Sequence, residues 1–364
     1  MKISILAKTI AGAAAMATCA TAAVVTAAVV TAPAAHAETS PWEDKPMGWT
    51  AIGLTPQGRP DARIRVGLAS PAGDQVIFGS FPAHSEVRDL SGDARTLMVQ
   101  VPERHRTQFS FYDTVSRRNV GHVRVTGDVF GARLDRPGNR VLVSTTDSPV
   151  WVSYHRTGGD AILLKGISSQ HELTESLDGA YVFGINAQNK LQTTDSHTGR
   201  TVRAVALPSG FVECNPGRAL DDTHISVNCA DQNQSGSVFS YDRTTDRFTN
   251  LAANLPANAT GYTGAWQTKM GLLVGQRNAE CGPVPGWVKG STWTKVNGAT
   301  DQVRVDTFFA DGSEAVGVQG GCGDSSMELV SVPTTFDGDF TPMAGSHTNP
   351  GWELTSYDVQ DDLQ

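Results

Sequence analysis

Few residues in this chain are spaced for chemistry. His171-Glu172-Leu173-Thr174-Glu175 starts like H-E-x-x-H, the helix on which two histidines one turn apart hold zinc and the glutamate acts as base. Here a glutamate stands where the second histidine belongs, and a strand pair follows, so the stretch reads as an exposed turn. The nucleophile elbow G-x-S-x-G and the phosphate loop G-x-x-x-x-G-K-[ST] are missing from the sequence. Histidines from His84 to His347 share no metal-ligand spacing, and there is no C-x-x-C or Cys-His cluster. Asp221-Asp222, Asp337-Gly338-Asp339 and Asp361-Asp362 are turn or tail residues by position. Asp337 and Asp339 could contribute to a calcium site, but a full ligand loop is not visible. The expectation is a protein with no catalytic residue, no metal and no cofactor.

The N-terminus reads as an address. Lys2 and Lys8 precede an Ala/Val/Thr run from Ile10 to Ala35, which ends in the A-x-A signal Ala35-His36-Ala37. Residues 1–37 are therefore expected to be a signal peptide and 38–364 one exported domain, a retained membrane anchor being the alternative. Removing Lys2 and Lys8 leaves 27 basic side chains against 37 acidic ones, a net charge of −10. Such a surface repels nucleic-acid phosphates and anionic lipid, so neither nucleic acid nor membrane is expected as a partner. A secreted, extracellular monomer is the expected state.

The elements must be sought in repetition. Segments of the form strand, polar turn, strand are anchored at Leu90, Leu134, Leu177, Leu220, Trp266 and Phe309, spaced by 44, 43, 43, 46 and 43 residues. A second hairpin follows each at constant offset. Asp113, Asp195 and Asp242 close its third strand, where an aspartate can bond the amides of its own turn. Four strands per unit make a propeller blade. Third-and-fourth-strand hairpins near 62–80, 106–126, 149–165, 189–206, 236–251, 288–306 and 326–343 predict an all-β, seven-bladed propeller of four-stranded antiparallel blades. Six or eight blades are the alternatives. The first blade lacks its first strand, and Trp352–Asp358 is a spare strand that would complete it and close the ring.

After the leader the chain holds Cys214, Cys229, Cys281 and Cys322, an even count that in an exported protein reads as two disulfides. Cys214 and Cys229 flank the turn at Asp221-Asp222 symmetrically, as opposite residues of a hairpin do. Cys281 and Cys322 lie about one repeat apart on the same rim. The pairing expected is Cys214–Cys229 and Cys281–Cys322. The stretch Gln276–Trp287 departs from the repeat as the longest loop between a second and third strand. Its Trp287, with Arg104 and Arg106 in a loop on the same face, are the candidates for binding a partner. Gln57, Gln75, Gln188, Gln232, Gln234 and Gln302 fall in expected turns, where an exposed carboxamide can serve a transglutaminase as acyl donor.

This repeat resembles the TolB-like and WD40-like propellers over essentially the whole exported chain, a likeness that specifies fold rather than function. Size, leader, acidity and blade count together resemble the dispase autolysis-inducing proteins of actinomycetes. That resemblance implies a non-catalytic protein acting on an extracellular thermolysin-like metalloprotease to promote its autolysis. It also implies a substrate of secreted transglutaminase. An extracellular propeller hydrolase or lyase, or a carbohydrate-binding propeller, is the alternative; the enzyme would need acids or histidines converging on the central channel.

Overall fold

The computed structural model describes residues 49–258, 260–277, 283–296, 303–309, 312–319, 327–334 and 340–359. They form seven four-stranded antiparallel sheets arranged as the blades of a ring, with no helix among them. Blade 2 runs from its inner strand Glu86–Leu90 through Thr96–Glu103 and Arg106–Asp113 to its outer strand Asn119–Thr126. Blades 3 to 7 repeat this order, with inner strands Val129–Leu134, Leu173–Glu175, Glu213–Ala219, Tyr262–Thr268 and Val303–Phe308. Blade 1 takes its inner strand from the other end of the chain: Trp352–Val359 pairs with Thr50–Pro56, Thr50 opposite Val359 and Pro56 opposite Trp352. The spare strand expected from the sequence therefore closes the ring, and neither blade 1 nor blade 7 is left with an open edge on the channel side.

The second strand of each blade is apolar on both faces, and the fold shows why. Successive side chains of a strand point to opposite faces. In blade 2, Leu97 and Val99 pack against blade 1, while Met98 packs against blade 3. The core is thus divided into seven clusters, one at each junction between neighbouring blades. Every blade is buried on two sides, so its middle strands read as unbroken apolar runs rather than as alternation.

Six of the seven expected third-and-fourth-strand hairpins lie where the sequence places them. The seventh is displaced. In blade 6 the hairpin is Val284–Lys289 and Thr292–Lys295, joined by Gly290-Ser291, and Val303–Phe308 already belongs to blade 7. Gly290 has φ +62°, which permits the two-residue turn and shortens the blade. The third strand consequently starts before Trp287, and the long loop ends sooner than expected.

Cys214 and Cys229 are directly opposed in blade 5 and form a disulfide with 4.1 Å between Cα atoms. Cys281 and Cys322 lie outside the described residues. The repeated aspartates act as turn caps. Asp195 accepts from the amides of His197 and Thr198, and Asp242 from those of Thr244 and Thr245. Hydroxyls of Thr198 and of Thr244 and Thr245 add to this and hold both carboxyls below the usual range. No helix among the described residues is long and apolar enough to cross a membrane.

Candidate functional site in the central channel

The inner strands bring charged residues to the axis. Asp358, Asp89 and Arg133 hold equivalent positions in blades 1, 2 and 3, and each latches onto the next blade. The carboxylate of Asp358 accepts from the Leu90 amide at 2.8 Å. That of Asp89 accepts from the Leu134 amide, and Arg133 donates to the Leu173 carbonyl at 2.8 Å. These contacts satisfy backbone groups that no ladder reaches, because inner strands of neighbouring blades do not pair with one another.

Around this row lies a cavity of about 360 Å³, walled by inner-strand residues of blades 2 to 7. Its cationic wall is Arg133, Arg136 and Arg218. Arg218, from blade 5, reaches past blade 6 to donate to Thr307 Oγ1 at 2.9 Å and to the Asp306 carbonyl at 2.6 Å. The Tyr357 hydroxyl donates to the Asp306 carboxylate from blade 1, so blades 5, 7 and 1 are joined through one cluster. A second cavity, of about 510 Å³, shares Arg218 and is walled by the inner strand of blade 1.

The acidic wall is Asp89, Asp135, Glu172 and Glu175. Glu175 ends the inner strand of blade 4 and is only 6% exposed. Its Oε2 accepts from the Arg136 amide at 2.8 Å, while Oε1 is buried without a hydrogen-bond partner. Burial, reinforced by the charges of Asp135 and Asp89, pushes its carboxyl up to about 8 against the pull of Arg133 and the Arg136 amide. Glu175 is therefore mostly protonated at neutral pH and presents an acidic O–H. Burial also raises Asp135, although the amides of Arg140 and Asn139 and the Arg140 charge oppose it. Trp266, from blade 6, lines the same space; its ring meets Phe308 edge-on at 5.3 Å, and its Nε1 is buried without a partner. Such a wall can meet oxygen atoms with its guanidinium groups.

Only the first half of His171–Glu175 is the turn expected from the sequence. His171 and Glu172 form a half-buried to exposed bend, but Leu173–Glu175 is the inner strand, and Glu175 is the most buried acid of the channel wall. The residue was missed because its spacing was read as a failed metal motif. Its place in the repeat, at the end of an inner strand where blades 1 and 2 also carry an acid, is the signal that identifies it. Among the described residues no group of three or more His, Cys, Asp or Glu side chains is arranged to hold a metal ion.

The remaining candidates lie away from the channel. Arg104 and Arg106 are exposed at the tip of the hairpin between the second and third strands of blade 2, with Glu103 opposite Arg106. Trp287 is half-buried inside the third strand of blade 6, packed on the blade 7 cluster with its ring edge against Gly312. Gln57, Gln188, Gln232 and Gln234 are exposed, each in the turn between the second and third strands of its blade, and so lie on the same face as Arg104. Gln75 starts a strand instead, and its carboxamide is held by the Met343 carbonyl and by Asn349. Gln302, Asp337 and Asp339 lie outside the described residues. Phe130, 62% exposed, stands at the bulge that opens the inner strand of blade 3, and no repeat or motif in the sequence marks it. It follows the turn from Thr126, the residue paired with Arg106.

No family model and no curated protein matches this sequence. Solved structures do. TolB from Acinetobacter baumannii aligns with 86% of this chain at 12% identity and a TM-score of 0.50, and the chain spans 66% of TolB's length. A Lactobacillus plantarum protein aligns with 86% of the chain and 99% of its own at 15% identity and a TM-score of 0.56. A candidate 6-phosphogluconolactonase from Bacteroides uniformis aligns with 86% and 100% at 14% identity and 0.52. At these identities the likeness is one of fold alone.

Proposed function

We propose that this chain is an exported propeller that binds a protein partner, an extracellular thermolysin-like metalloprotease, and promotes its autolysis without chemistry of its own. One observation carries the reading: on an otherwise acidic protein Arg104 and Arg106 are exposed at the tip of a blade 2 hairpin, and Phe130 is exposed four residues after Thr126, the residue paired with Arg106. Arginine and aromatic side chains supply most hot spots of protein interfaces. The choice of partner rests on the resemblance to the dispase autolysis-inducing proteins. Export rests on the leader at 1–37, which leaves 38–364 as the working domain, and on a disulfide suited to an oxidising compartment. Trp287 remains a proposed contact through its exposed part.

Gel filtration of the purified protein with a thermolysin-like protease is expected to give a complex, weakened at least about tenfold by Phe130→Ala combined with Arg104→Ala. Co-elution unaffected by that double substitution would rule out these residues, and absence of a complex would sink the reading. As a proposed substrate of secreted transglutaminase, the protein is expected to take up a primary amine at Gln188, Gln232 and Gln234 and not at Gln75, whose carboxamide is engaged. Peptide mapping that finds the label on Gln75 first would contradict this.

A second reading, an extracellular propeller hydrolase or lyase, is favoured by the acids that converge on the channel, with Glu175 as a neutral general acid beside Arg133. Turnover of a channel ligand, lost in Glu175→Gln, would favour it over the binding role.

A further inference from the structure

We propose that the outer edge of blade 2 is a docking strip for a linear phosphodiester polymer without bases, a chain of phosphates joined by short polyols. Arg117, Arg118, His122, Arg124 and Arg106 would grip it. The strip lies on the flank of the ring, and its end at Arg117 and Arg118 does not rest on the protease reading.

Arginine is concentrated on this blade. Residues 86–126 hold seven of the chain's 21 arginines and no lysine, against five acids, so blade 2 carries +2 in an exported chain of −10. Arg104, Arg106, Arg117 and Arg118 are exposed, and none of the four is in an ion pair among the described residues. Arg124 Nε meets Glu103 at 3.2 Å, and its Nη1 meets His122 Nε2 at 3.2 Å. Of the other nearby acids, Asp113 caps its own turn through the Ser116 amide. Acids on distant blades act weakly here, because salt screens exposed charges beyond about 8 Å at physiological ionic strength. The local sign therefore decides what approaches, and the planar guanidinium fork matches phosphate oxygens in pairs.

The strand makes the patch a line. Asn119–Thr126 is the outer edge strand of its sheet. Arg117 and Arg118 lead into it from the turn, and Arg106, paired with Thr126, stands at its other end. His122 and Arg124 lie opposite Ser110 and Gln108, so they share one face of the strand with Thr126 and Arg106. Side chains on one face of a strand recur about every 6.7 Å, and eight residues span about 26 Å. Cations set out at that pitch suit the successive charges of an extended chain rather than one compact anion. Beside them, the outer strand of blade 1, Gln75–Phe81, holds no acid to repel such a chain. From Arg117 to Thr126 there is no Phe, Tyr or Trp on which a base could stack, which sets a phosphate–polyol chain ahead of a nucleic acid.

Fluorescence anisotropy with labelled poly(glycerol phosphate) tests this on the purified protein, with oligo-dT and dextran alongside. Poly(glycerol phosphate) is expected to bind at low salt, dextran not at all, and oligo-dT no more tightly than the polyol chain. Four phosphate contacts predict a loss of affinity of about fiftyfold between about 50 and 200 mM salt. Arg117→Gln with Arg118→Gln removes two of those contacts; it is expected to weaken binding at least about tenfold at low salt and to halve the salt slope. Lys190→Gln with Arg200→Gln, two exposed cations of blade 4, is expected to change nothing. Circular dichroism of both double variants should match the wild type. The Arg117, Arg118 variant keeps Arg104 and Phe130, so its complex with a protease should persist, and failure of one reading is seen apart from failure of the other. Absence of poly(glycerol phosphate) binding, binding indifferent to salt, tighter binding of oligo-dT, or an equal loss in the blade 4 variant would overturn the proposal.

Discussion

Among the described residues, Glu175 is the one whose ionisation the fold shifts furthest from its ordinary value. Unfolded, its carboxyl has the ordinary value of 4.5; folded, it stands at about 8. Between those values the folded chain holds a proton that the unfolded chain has released. Stability from this group is therefore greatest below about 4.5, falls as pH rises, and levels off above about 8. Melting curves across that window are expected to show a falling Tm in the wild type and a flatter profile in Glu175→Gln. Equal slopes would mean that Glu175 is not the buried acid described here. The sequence did not reveal this residue, for a physical reason. A carboxyl's burial depends on what surrounds it, and Asp89, Arg133 and Asp135 arrive from positions 40 to 86 residues earlier. By contrast Asp113, Asp195 and Asp242 were legible, because a turn cap acts on amides two or three residues away.

At the scale of the element, the blade was legible because its determinants are local. Turn residues, apolar runs and a constant period sufficed to place nearly every hairpin. Blade 6 departs where a glycine with positive φ tightens its outer turn, and the long loop obscured that shift. The disulfide of blade 5 followed from symmetry about the turn, since residues equidistant from a hairpin turn oppose one another. It closes a loop with a sequence separation of 15, for which chain entropy predicts about 3 kcal/mol of stabilisation. Cys214→Ala with Cys229→Ala is expected to lower stability by about that amount in denaturant titration, with the blade ladder intact by circular dichroism. An unchanged midpoint would show that the hairpin's packing alone holds blade 5.

At the scale of the whole molecule, the ring separates two surfaces that the chain order mixes. Inner strands gather balanced charges around the axis, and turns between second and third strands gather Arg104, Arg106 and most candidate glutamines on one face. Blades bury apolar surface on both sides at seven junctions, and closure by Trp352–Val359 leaves no channel-side edge. Such a frame can hold rim residues fixed while a partner docks, with little ordering cost. The most direct measurement is the activity half-life of a thermolysin-like protease incubated with this protein. The account predicts a shortened half-life with self-cleavage fragments, an effect reduced by Phe130→Ala with Arg104→Ala and untouched by Glu175→Gln. A half-life unchanged by the wild-type protein, or shortened equally by the rim variant, would contradict it.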